Sequence, residues 1–418
     1  MDSRERVLAA VNHQQPDRVP VDFGGTLTSG IHVSCVAALR DHFGLEQRLV
    51  KVHDPYQMLG WIDDDLKEAL GVDVVCVPPY KTIFGFPNEH WQTWRTQQGL
   101  EVLISAEFRT TVDDQGDTFV YPQGDTRAAP SGRMPKGGYY FDTIIRQDPI
   151  VEEQLDPEDN LEEFQPISAA ELSYLEASVE RAAASGRAVV ATPGGTAFGD
   201  IALVPAPFLK HPRGIRDIGQ WYMSTAIRQD YVHEVFSKQC EMALANLEKI
   251  FARVGNAIDV VFMCGTDFGT QTSSFCSVAT FGELYLPYYR RLNDWIHEHT
   301  TWKTFKHSCG AVEKFIDSFV RCGFDILNPV QCSATGMDPA QLKEKYGDRI
   351  VFWGGGVDTQ QILPFGTVAE VREQVLHRCQ TFFPGGGFVF NTIHNIQART
   401  PTENIVSMLD AIRTFNEF

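Results

Sequence analysis

The chain has 418 residues, with 54 Asp and Glu against 36 Lys and Arg, a net charge of −18 at pH 7, and 43% hydrophobic residues. Such a composition belongs to a globular protein able to bury a full core, and the acidic balance argues against nucleic acid and anionic membrane as main partners, since both repel a negative surface. Nine cysteines without small-scaffold spacing read as free thiols in a reducing, cytoplasmic compartment; the N-terminus MDSRERVLAAVNHQQPDRVP has no apolar signal core, and no apolar stretch approaches a membrane span.

Short β-branched or aromatic runs recur along the chain, each followed by polar or Gly/Pro punctuation and a helical period. VPVDF (19–23) and VDVVCV (72–77) come first. Residues 83–148 break the rhythm: EFRTTVDDQGDTFVYP alternates about a polar DDQGD turn and predicts an antiparallel hairpin, inserted over one mouth of the fold. The acidic stretch VEEQLDPEDNLEEF (151–164) returns the chain to the surface. The strand candidates then resume with RAVVAT (187–192), IDVVFM (258–263), WKTFK (302–306), FDILN (324–328), RIVFW (349–353) and GFVFN (387–391). Near-continuous apolar runs of this length suit strands buried on both faces of a parallel sheet.

Amphipathic segments lie between the runs. Phe281, Leu284, Tyr285, Tyr288, Leu292 and Trp295 share a helical face, although Pro287 should kink that helix or delay its start. Val312, Phe315, Ile316, Phe319 and Val320 form a second face, and Ile405, Met408, Leu409, Ile412 and Phe415 a third. Eight strand candidates alternating with helices predict an α/β fold, a (β/α)8 TIM barrel spanning 1–418 as one domain.

Polar residues cluster at the C-terminal ends of the predicted strands: Thr192 before Pro193-Gly194-Gly195, Cys264 with Asp267 and Gln271, and His307 with Cys309. Asn328 with Gln331 and Cys332, Gly354 to Asp358, and His394-Asn395 complete the series. In a barrel these ends converge on one face, where active sites lie. His307 and Cys309 flank one residue at a strand end, so a persisting pleat puts both side chains on one side, able to share an ion. A thiolate with an imidazole suits zinc, and a catalytic zinc needs about three protein ligands and an open position. His394 is the best third ligand, because it follows the last strand and barrel closure returns that strand to the others; Cys264 and Cys332 are alternates. H-x-C alone is a weak signal, since buried free cysteines are common. Asp267 and Gln271 also suit helix caps, the glycine runs suit tight turns, and Cys322 and Cys379 fall on amphipathic faces and read as core.

In order, PDRVPV (16–21), CGTDFGTQ (264–271), HSCG (307–310), ILNPVQ (326–331), VFWGGGVDTQ (351–360) and HNIQ (394–397) form a string of motifs. The string resembles that of the uroporphyrinogen decarboxylase superfamily and, within it, of the corrinoid-dependent methyltransferase branch. The resemblance implies a decorated TIM barrel over nearly the full chain. It also implies zinc held by His307 and Cys309, with His394 at the position where thiol-methylating members carry a later cysteine. That departure favours a demethylating enzyme over a thiol-methylating one. The implied reaction moves a methyl group from a small methylated compound, a methoxylated aromatic above all, onto a corrinoid (cobalamin), carried by a partner protein or free. Asp267, Gln271, Asn328 and Gln331 would line the substrate pocket, positioning the donor or relaying a proton. A phenolate is a poor leaving group, its conjugate acid having a pKa near ~10 in the tyrosine reference. A Lewis-acid zinc on the ether oxygen would offset the developing charge by on the order of several kcal/mol. Two alternatives stand beside this reading. One is a metal-free uroporphyrinogen-type decarboxylase, whose RQAGRYLPE-type motif Arg4, Arg6 and Arg18 do not reproduce. The other is a barrel that only binds a corrinoid or a methylated ligand.

Overall fold

A computed structural model describes residues 1–417. Seven short strands form one sheet: Val74–Val77, Ala188–Ala191, Val260–Cys264, Lys303–His307, Ile326–Asn328, Val351–Trp353 and Phe388–Val389. They follow one another in chain order and every neighbouring pair is parallel. Val74–Val77 and Ala188–Ala191 are buried at every position, as expected where helices cover the outside of a sheet whose inner face is filled by side chains.

The expected first strand, 19–23, is reduced to a single parallel bridge between Val21 and Phe390. It nevertheless occupies the eighth position. The Asp22 N–H donates to Phe390 O (2.9 Å), Phe390 N–H to Pro20 O (2.8 Å), and on the other side Asp73 N–H to Val21 O (2.8 Å). The segment thus joins the last strand to the first and closes the (β/α)8 barrel. A regular ladder fails there for two reasons: Pro20 has no N–H, and the Val21 N–H is taken by the Asp73 carboxylate at 3.0 Å.

Pro287 falls in the first turn of the helix Leu286–His299, directly after Val278–Leu284, so it starts a helix rather than bending one. Behind the fourth strand, Phe268, Phe281, Tyr285, Phe315 and Phe319 interlock in edge-on, tilted and stacked pairs, with centroids 4.9–6.2 Å apart.

The insertion contains the expected hairpin, Thr110–Val112 against Thr118–Val120, with the Asp113 carboxylate accepting the N–H groups of Gln115 and Asp117 in the turn. It is larger than expected. The hairpin continues into Gly132–Met134 and Asp142–Thr143, and a second antiparallel pair joins Trp91–Arg95 to Glu101–Ser105. The connection from Gly132–Met134 to Asp142–Thr143 reaches the barrel: Tyr139 O accepts a hydrogen bond from His32 Nε2 (3.1 Å), and a cleft of about 410 Å³ opens between Tyr56, Tyr139, Phe141 and Gln397. Among the described residues, no helix is long and apolar enough to cross a membrane.

Candidate metal centre

The strand Lys303–His307 ends at the mouth, and its register pairs His307 with Asn328 of the next strand. Paired residues on neighbouring strands project to the same face. Asn328 Nδ2 donates to Trp353 O (2.7 Å), which orients the amide so that Oδ1 accepts from His307 Nδ1 at 2.6 Å. Nε2 is then the lone-pair nitrogen, and it lies 3.3 Å from Cys309 Sγ. The His394 ring stands edge-on to that of His307 with centroids 5.5 Å apart. One donor atom from each of His307, Cys309 and His394 lies within 4.8 Å of the other two.

A tetrahedral zinc with Zn–N of about 2.0–2.1 Å and Zn–S of about 2.3 Å holds its ligand atoms about 3.5 Å apart. The donor set therefore fits the ion after a small closing movement, and three donors leave one tetrahedral position for water or a substrate atom. The two alternates stand elsewhere. Cys264 pairs with Lys306, whose side chain points away from the His307 face into the aromatic cluster. Cys332 turns its thiol toward Val330 O and Gly355 O.

The thiol is carried by a turn that is braced from three sides. Asp267 Oδ1 accepts the Cys309 N–H (2.7 Å), Gln331 Oε1 accepts the Gly310 N–H (2.7 Å), and Ser308 Oγ accepts the Phe268 N–H (2.9 Å). Gln271 reaches this assembly one step back, its Oε1 accepting from Gln331 Nε2 at 2.8 Å. Asp267, Gln271, Asn328 and Gln331, expected to line a substrate pocket, thus use their polar atoms to position His307 and Cys309. Gly310 has φ +88°, and a Cβ on it would lie 2.5 Å from backbone atoms of Gly269. Only glycine permits that crossing of the two loops. The His394 loop is tied down by Asn395, whose Oδ1 accepts Gly30 N–H (2.6 Å) and whose Nδ2 donates to Leu27 O (2.9 Å) and Gln57 Oε1 (2.8 Å).

Burial sets the protonation states. It holds His307 and His394 neutral by lowering each to about 4, with Asn328 opposing at His307 and the charge of His307 adding at His394. Burial, reinforced by the Asp267 charge, pushes the Cys309 thiol well above its ordinary value. Two neutral imidazoles and a thiol that ionises when a cation replaces its proton make a metal donor set.

Three further groups shape the site without having been expected to. Lys306 is fully buried; its Nζ donates to His307 O (2.7 Å) and Thr266 O (2.5 Å) beneath the Phe268 ring, fixing the strand end against the loop that follows Val260–Cys264. Tyr222 stacks on Phe275 (4.3 Å, 11°) and points its hydroxyl at Asp267 O (3.4 Å). Asp200, in the loop after Ala188–Ala191, is partly covered, and desolvation of its carboxyl, with Asp267 nearby, raises it to about 6. A lysine inside the apolar run WKTFK was a visible signal; Asp200 in GGTAFGD carried only a glycine-rich context.

The sequence model described as uroporphyrinogen decarboxylase (URO-D) matches residues 146–415, from the end of the insertion into the last helix. No curated protein shows significant similarity to the chain. Among solved structures, a methyltransferase from Methanosarcina mazei shares the fold with a TM-score of 0.55 at 15% sequence identity, covering 99% of this chain and 99% of that one.

Proposed function

The chain belongs to the uroporphyrinogen decarboxylase family, and from that premise we propose a zinc-dependent methyltransferase that demethylates a small methylated compound, a methoxylated aromatic in the first instance, onto a corrinoid. The observation that carries this reading is the convergence of two imidazoles and one thiol at the barrel mouth, with donor atoms within 4.8 Å of one another. The motif string of the methyltransferase branch and the methyltransferase named among similar folds support it.

His307, Cys309 and His394 would hold the metal, which when bound supplies Lewis acidity toward charge developing on the donor heteroatom. Asn328 keeps His307 in the tautomer that presents Nε2, and Asp267 and Gln331 hold the backbone that carries the thiol. The cleft walled by Tyr56, Tyr139 and Phe141 offers aromatic side chains beside the mouth, against which an arene can pack.

The metal-free decarboxylase reading asks for a cationic pocket at the mouth. Arg4 pairs with Asp259, and Arg6 and Arg18 with Asp73. Both carboxylates directly precede barrel strands, Val260–Cys264 and Val74–Val77, so these arginines belong to the N-terminal face, opposite the triad. The deciding experiment incubates zinc-loaded protein and chemically reduced cob(I)alamin with a panel of methoxyarenes and methylamines. Methylcobalamin should form from a methoxyarene. A spectrum unchanged by every donor would reject the proposal.

A further inference from the structure

Resting on the methyl-transfer reading, we propose that Asp200 delivers the proton taken up by the heteroatom that the methyl group leaves. Its carboxylate stands over the end of the third strand: a Cβ on Gly265, the residue after Val260–Cys264, would lie 2.7 Å from Asp200 Oδ2. Oδ1 accepts the Ala202 N–H at 2.9 Å, which fixes the carboxyl's direction. The residue is only partly covered.

The groups around it come from every wall of the mouth. Asp267 and Cys309 face it from the loops after the third and fourth strands, Tyr222 from the helix Ile218–Ile227, and Tyr56 from the insertion side. Lys306 is the nearby cation, yet its ammonium is committed to two backbone carbonyls. The carboxyl therefore sits among acidic and phenolic neighbours with no bonded cation. Burial first, and then the Asp267 charge, lift it to about 6. A general acid with a pKa close to the working pH is both protonated often enough and strong enough to act.

The step balances as follows. The methyl carbon–oxygen bond breaks with its electron pair staying on oxygen. The carbon–cobalt bond forms with the electron pair of a reduced corrinoid, the co-substrate already required, whose cobalt is formally oxidised by two electrons. The Asp200 proton passes to the oxygen, giving the free phenol and an aspartate that is reprotonated from solvent. Transfer runs downhill, because a phenol is a far weaker acid than this carboxyl.

The test compares wild type with Asp200→Asn and Asp200→Glu, zinc-loaded and supplied with cob(I)alamin, on aryl methyl ethers whose phenols differ in acidity. For the least acidic phenol, Asp200→Asn should lower kcat about 100-fold, and for a nitro-substituted phenol, which leaves unaided, by less than about threefold. Asp200→Glu should recover part of the loss on the poor leaving group. A uniform loss across the series, or none, overturns the assignment, since a merely structural defect does not sort donors by leaving group. A wild type inactive on every ether rejects the methyl-transfer reading itself and the assignment with it. Infrared titration of the resting protein gives a readout free of turnover. The protonated-carboxyl band with a midpoint near pH 6 should lose the Asp200 share of its intensity in Asp200→Asn, the remainder belonging to Asp22 and Asp54, which burial raises to the same range. An unaltered band in the variant overturns the assignment.

Discussion

Asn328 uses both ends of its amide, Nδ2 on Trp353 O and Oδ1 on His307 Nδ1, and so decides which imidazole nitrogen faces the thiol. Asn328→Ala should therefore lower zinc affinity about 10- to 100-fold, read by competition with a chelator, while the fold persists. Protonation gives a second expectation. At pH 7 both imidazoles are already neutral, having been lowered to about 4, whereas the thiol of Cys309 is raised and holds its proton. Zinc capture should release one proton, so affinity should rise about tenfold per pH unit between roughly pH 6 and 8. An affinity flat across that range would mean that the thiol is not a ligand. The H-x-C pair and His394 were legible in the sequence because a period of 2 and closure of a barrel are rules of backbone geometry. Asp200 was not, since only tertiary packing brings residue 200 over Gly265.

At the scale of elements, the closing segment 19–23 depends on one side chain. The Asp73 carboxylate receives the Val21 N–H, the guanidinium groups of Arg6 and Arg18, and the Ser3 hydroxyl, and it is fully buried. Asp73→Ala leaves the buried Val21 N–H without its acceptor and removes one of the two carboxylates that hold Arg6, Asp17 remaining, and should cost about 1–3 kcal/mol in chemical denaturation. Gly310 is the corresponding position at the mouth. Gly310→Ala forces a Cβ against Gly269 at positive φ, and should cost on the order of 1–3 kcal/mol while also lowering zinc retention. A variant that melts and binds zinc as wild type does would show that the crossing of the two loops is not needed. All seven strands of the sheet were readable as apolar runs, and DDQGD marked its hairpin. VPVDF read as a strand because it is a short β-branched and aromatic run, but a proline without N–H and a side-chain acceptor replace its ladder. The strands Gly132–Met134 and Asp142–Thr143 were invisible, being too short to show any period.

Over the whole molecule, the two ends of the barrel differ in how their charged groups are arranged. Arg4, Arg6 and Arg18 are paired at the N-terminal end of the barrel, while Asp200 and Asp267 stand with the three donors at the mouth. The insertion adds aromatic walls to that same end. One face thus brings together two imidazoles and a thiol, a carboxyl raised by burial and an aromatic surface, the groups that the proposed removal of a methyl group from an ether would use. The measurement that bears most directly on this arrangement is zinc-edge X-ray absorption on the full chain after dialysis against zinc. The structure predicts one ion per chain, with two nitrogen neighbours at about 2.0–2.1 Å and one sulfur at about 2.3 Å, the sulfur lost in Cys309→Ser. A protein that emerges from excess zinc without bound metal, or a shell containing no sulfur, would contradict it.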